Sequence, residues 1–89
     1  MAKKVGIVSR VDRKKALQLV DKMVSHLEAK GLSVMLDSKL TKHIKRLDLS
    51  TPLEKMRADL VITIGGDGTI LRTCLQLPKP EPPILAINM

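Results

Sequence analysis

The sequence predicts an α/β protein, with an open, mainly parallel sheet that carries helices on both faces. Three observations predict it. Four short apolar runs, KVGIVS, LSVML, LVITI and ILAI, punctuate the chain, and their near-continuous apolarity suits strands covered on both sides. Helical spacing fills the stretches between them, giving the strand-helix-strand unit whose strands run parallel. A glycine-rich turn follows the third run, at the carboxyl end of a strand, where sheets of the doubly wound kind hold their ligands.

The elements follow in order. Lys4–Ser9 reads as the first strand. Asp12 is placed to cap a helix in which Ala16, Leu19, Val20, Met23, Val24 and Leu27 recur at three- and four-residue spacing, and Lys30-Gly31 ends it with a left-handed glycine. Leu32–Leu36 is the second strand. Between Asp37 and Ser50, Leu40, Ile44 and Leu47 keep helical spacing among basic residues; a short helix is expected, with a mobile loop as the open alternative. Thr51-Pro52-Leu53-Glu54 has the form of a capping box with proline at the first helical position, and predicts a short helix ending near Arg57. Leu60–Ile64 is the third strand. Thr69–Leu77 is helical in spacing through Ile70, Leu71, Cys74 and Leu75, until Pro78, Pro80, Pro82 and Pro83 stop it and form a stiff connection to a fourth strand, Ile84–Ile87.

Composition sets limits on function. A chain of 89 residues, 44% hydrophobic and without a single Phe, Tyr or Trp, makes one small domain whose core is Ile, Leu, Val, Met and Ala. The net charge of +7 raises nucleic-acid binding, but no aromatic platform exists for bases. The cations fall into two small groups, Arg10 with Arg13–Lys15, and Lys39, Lys42, Lys45 with Arg46. A solvated surface explains both groups, and a phosphate-rich small ligand is the better functional alternative. One cysteine, Cys74, makes no internal disulfide and implies a reducing cytoplasm. The apolar run that follows the charged amino terminus, MAKKVGIVSR, is strand-length, too short for the core of a signal peptide or for a membrane span. His26 lies off the apolar stripe and His43 in the ambiguous stretch, without partners for metal binding or base chemistry; the methionines serve as core filler.

The turn itself, ITIGGDGTILRT from residue 62 to residue 73, is the chemical feature. Gly65, Gly66 and Gly68 allow positive φ and let backbone N–H groups approach a ligand closely. Donors at a helix start, aided by its dipole, suit phosphate oxygens, and the Thr69 hydroxyl caps the helix or adds a donor. Asp67 is out of place beside an anion unless it has a role of its own, either accepting a proton from an attacking hydroxyl or holding a metal ion that bridges phosphates. The plain alternative is that Asp67 caps the helix and the glycines make a turn. The string lacks the lysine of the P-loop and the glycine spacing of the dinucleotide fingerprint.

ITIGGDGTILR, preceded by ADLV and followed after the proline-rich loop by ILAINM, resembles the amino-terminal domain of NAD kinases, and the likeness runs in order along the whole chain. The GGDGT string is shared with diacylglycerol and sphingoid lipid kinases and, more distantly, phosphofructokinases. Lipid kinases typically continue it with a hydrophobic residue and Asn-Glu-Val, whereas this chain continues Ile70-Leu71-Arg72. Ser9-Arg10-Val11-Asp12 is not the glycine-rich first turn usual in phosphofructokinases.

The resemblance implies a Rossmann-like sheet and ATP-dependent phosphorylation of the 2′-hydroxyl of the adenosine ribose of NAD, giving NADP. It assigns Asp67 as the base toward that hydroxyl, Gly68 as backbone against bound nucleotide, and Arg72 as a basic residue of the nucleotide site, with a plain surface cation as the alternative for Arg72. Gly65, Gly66 and Thr69 shape the loop and contact phosphate. Asn88 lines the site or caps the next turn. The implied partners are NAD, ATP or polyphosphate and a divalent ion, Mg2+; nucleic acid and membrane are not among them. The implied setting is a cytoplasmic homo-oligomer in which residues 1–89 form the amino-terminal domain, cut before a β-rich NAD-binding domain and inactive alone. A noncatalytic phosphate-binding module or a lipid kinase of the same superfamily are the alternatives.

Overall fold

The computed structural model describes residues 3–89. Its strands are β1 (Lys4–Ser9), β2 (Ser33–Asp37), β3 (Ser50–Thr51), β4 (Leu60–Gly65) and β5 (Ile84–Asn88), and its helices are α1 (Lys14–Ala29), α2 (Ser38–Ile44) and α3 (Asp67–Gln76), with 3-10 turns at Leu47–Leu49 and Leu53–Lys55. All five strands are parallel, in the order β3-β2-β1-β4-β5. The chain therefore works outward from β1 to one edge, then returns to lay β4 and β5 on the other side of β1.

Strand alternation divides the core in two. Val5 and Ile7 of β1, Val34 and Leu36 of β2, and Ile62 and Ile64 of β4 meet Ala16, Val20 and Val24 of α1 and Leu40 of α2. Each such side chain, removed from water, contributes about 1.5–3 kcal/mol. On the opposite face Val8 and Val61 pack with Leu53, Met56 and Leu77. Gly6 makes that second layer possible. A Cβ there would lie 2.5 Å from the Met56 sulfur, so the thioether fills a notch in β1 that any other residue would close.

The expected end of α1 is present in full. Gly31 has φ of 80°, its N–H reaches the carbonyl of Glu28, and the N–H of Leu32 reaches that of Leu27, the paired bonds of a Schellman stop. Its start differs from expectation. Arg13 holds the cap position with no side-chain cap bond, because the Asp12 carboxylate is taken by Arg10.

The ambiguous stretch is helical as α2 and ends on Lys45 in the left-handed region, φ 62°. The capping box fails. Thr51 is claimed by the short strand β3, paired with Asp37, and its hydroxyl donates to the carbonyl of Leu49. In place of the expected helix stands a single 3-10 turn, with Pro52 at its cap. The expected four strands are thus five.

Candidate functional site

The strand order reverses at β1, so the carboxyl ends of β1 and β4 are neighbours whose chains leave toward opposite faces: β1 leads to α1 and β4 to α3. Such a switch point leaves a crevice. An open cavity of about 490 Å³ lies there, lined by Ser9, Arg10, Val11 and Asp12 beyond β1, Lys39 of α2, and Gly66, Gly68, Thr69 and Arg72 at the start of α3.

The glycine turn is tighter than the sequence suggests. Gly65 closes β4, Gly66 is the cap residue, and α3 begins at Asp67 rather than Thr69. Of the three glycines only Gly65 has positive φ, 151°, and a Cβ on it would meet the Thr69 hydroxyl at 2.5 Å. Gly66 is extended, with φ of −106°. A Cβ on Gly66 or Gly68 would meet nothing within 4 Å. These two glycines therefore leave open space along the cavity wall instead of serving a left-handed turn. The N–H groups of Thr69 and Ile70 both reach the carbonyl of Gly66, whereas those of Asp67 and Gly68, in the first turn, have no intrahelical acceptor.

Asp67 is exposed, lies between two cavity-lining glycines, and among the described residues makes no ion pair. It does not itself line the cavity. Nor does it cap α3, since Gly66 holds that position and no side chain caps the helix; as the first helical residue it is instead favoured by the dipole. Thr69 does not cap either. Its carbonyl accepts from the Thr73 hydroxyl at 2.7 Å, which satisfies a wholly buried threonine. Asn88 sits exposed at the end of β5, level with Gly65.

Arg72 lines the cavity, yet it is no isolated surface cation. Its Nη2 donates to Asp37 Oδ2 at 2.6 Å, and the Asp37 side chain is 2% exposed. Arg10, expected on a solvated face, also borders the cavity. Its Nε and Nη2 hold both oxygens of Asp12 at 2.7 and 2.9 Å, and this bond draws the Asp12 carboxyl down to about 2. Its Nη1 donates to the carbonyl of Met89. Lys39, the third cation at the cavity, has no ion-pair partner among the described residues. Three cations, of which Arg10 and Arg72 are paired with Asp12 and Asp37 and Lys39 is not, together with free helix-start donors around one crevice favour an anion with several oxygens.

Sequence reading did not find Asp37, Arg10, Asp12 or Lys39 as site residues. A signal was available: Asp37 and Arg10, like Gly66, fall at the carboxyl ends of apolar strands, the side of a parallel sheet where ligands bind. No cluster of three or more His, Cys, Asp or Glu able to hold a metal ion exists among the described residues, and no helix there is long and apolar enough to cross a membrane.

Fold and crevice together define a class: a parallel α/β domain that presents anion-accepting groups at the point where its strand order reverses. The family model described as the ATP-NAD kinase N-terminal domain matches residues 5–89. The NAD kinase of Methanosphaera stadtmanae is 40% identical over 87 residues, covering 97% of this chain and 32% of that protein. The NAD kinase of Methanothermobacter thermautotrophicus is 39% identical, with 97% and 31% covered, and that of Pyrococcus abyssi is 41% identical, with 94% and 31% covered. The chain belongs to the ATP-NAD kinase family and spans about a third of the length of these curated relatives.

Proposed function

We propose that the protein carrying this chain transfers the γ-phosphoryl group of ATP to the 2′-hydroxyl of the adenosine ribose of NAD, giving NADP, with residues 1–89 as its amino-terminal domain. The observation that carries the reading is the crevice between the ends of β1 and β4, where unclaimed N–H groups of α3 and the side chains of Arg10, Lys39 and Arg72 border a space left open by Gly66 and Gly68. The names of the relatives, NAD kinase in each case, support the substrates.

In this mechanism the first-turn donors and the cations hold phosphate oxygens and offset the charge of the transferring group. Asp67, exposed and free of any ion pair among the described residues, accepts the proton of the ribose hydroxyl as that oxygen attacks phosphorus. Gly65 and Thr69 fix the turn that presents it. A divalent ion, Mg2+, belongs to the same proposal and would neutralise phosphate charge when bound; Asp67, the carboxylate beside the crevice that no arginine occupies, would hold it only in the alternative role in which it does not take the proton. A β-rich domain completing the NAD pocket, a cytoplasmic setting and a homo-oligomeric assembly belong to the proposal, and the 89-residue chain alone is expected to make no NADP.

The test is NADP formation by the intact protein with NAD and ATP. Asp67→Asn should lower kcat by ~10²–10⁴ while NAD binding persists. Full turnover in that variant would remove base chemistry from Asp67, and absence of NADP with the unaltered protein would end the kinase reading and leave a binding module.

A further inference from the structure

Asp37 is a buried carboxylate beside the crevice that the mechanism leaves unexplained. It ends β2 where α2 begins and is 2% exposed, and a buried carboxylate is expensive unless a cation meets it. The side-chain bond it receives among the described residues comes from Arg72 Nη2, at 2.6 Å from Asp37 Oδ2 and 35 residues away in sequence. Because β1 stands between β2 and β4, the pair reaches past the end of β1 from the β2–α2 junction to α3.

An ion pair serving only to hold two helices together is replaceable by apolar side chains of similar volume with little loss. This one stands at the wall of the crevice. Arg72 lines the crevice and is 26% exposed, and Lys39, two residues after Asp37, lines it too. With Nη2 committed to Asp37, Nε and Nη1 of Arg72 make no hydrogen bond among the described residues. An arginine pinned through one nitrogen keeps its other donors in a fixed plane, and loses less rotamer freedom when an oxyanion arrives than a free side chain does.

We propose that Asp37 is a positioning residue: its buried carboxylate holds the Arg72 guanidinium at the crevice wall, oriented for the phosphate chain of a nucleotide. Asp37 touches no substrate, and its effect passes through Arg72. The proposal rests on the reading of the crevice as a phosphate site.

The experiment uses the intact protein with inorganic tripolyphosphate as probe, followed by calorimetry, alongside kcat and KM for ATP and NAD. Asp37→Asn, which keeps shape and removes charge, should weaken tripolyphosphate binding about ten-fold, the share of one charge-assisted contact. It should raise a nucleotide KM by a similar factor, with any loss in kcat no larger than that of Arg72→Gln, through which it acts. Arg72→Gln should cost about as much, and the double variant no more than Arg72→Gln alone, since the two residues act as one unit. Losses that multiply in the double variant, or unaltered binding in a folded Asp37→Asn protein, would overturn the proposal. Should Asp37→Asn fail to fold, Arg72→Lys decides: it retains the charge and loses the fork, so binding as tight as the wild type would overturn the proposal, and about ten-fold weaker binding would uphold it. The two readings fail separately. Coupled losses in tripolyphosphate binding without NADP formation would sink the kinase and keep the positioning role; NADP formation with unaltered Asp37→Asn binding would do the reverse.

Discussion

The two faces of the sheet differ in how much they bury. α1 places Ala16, Val20 and Val24 almost wholly out of water against three strands. α3 buries Thr73 alone, while Leu71 and Leu75 remain 61% and 73% exposed. At the adjoining edge, β5 leaves Leu85 53% exposed. The lesson is a division of labour. The α1 face, continuous and apolar, supplies most of the hydrophobic stabilisation, which frees the α3 side to carry glycines, an exposed carboxylate and a charged crevice, none of which adds to a core.

The contrast can be pressed hardest at Leu36, fully buried on the α1 face. Leu36→Ala should cost about 3 kcal/mol in denaturant unfolding; a loss below about 1 kcal/mol would mean that the α1 layer is not where stability resides. A change of opposite sign is expected at Thr63, whose buried hydroxyl has no hydrogen-bond partner among the described residues. Thr63→Val keeps the shape, removes the orphaned group, and should raise stability by about 1 kcal/mol. The smallest effect belongs to Leu75→Ser, within about 0.5 kcal/mol. A cost above about 1 kcal/mol there would show that the α3 face is covered in the intact protein, and the asymmetry would belong to this domain in isolation.

Legibility in the sequence followed the range of the interactions. β1, β2, β4 and β5 match the expected strands to within a residue at each end, because each is a run of β-branched and aliphatic residues, buried on two faces in β1, β2 and β4 and left part-exposed at the β5 edge. The end of α1 was equally readable, since Gly31 carries its own backbone signal. β3 was not. Ser50 and Thr51 have no apolar pattern and become a strand only by pairing with Leu36 and Asp37, a contact that also removed Thr51 from its expected cap. Asp12 was lost as a cap for a similar reason, a competing arginine two residues away.

At the candidate site the glycine turn was visible because its chemistry is contiguous. Its surroundings were hidden. Asp37 meets Arg72 across 35 residues, and Arg10 and Lys39 reach the crevice only because strand order brings the ends of β1, β2 and β4 side by side. A cluster of cations in sequence does not say which of its members will share a cleft with a turn elsewhere in the chain.

The missing side chain of Gly6 has a further consequence. With the Met56 sulfur 2.5 Å from where a Cβ would stand, and Met56 wholly buried, a methyl group at position 6 demands that the thioether move or be replaced by a shorter side chain. The fit is one-sided, since trimming Met56 opens a void whereas adding a methyl at Gly6 forces a buried side chain to move.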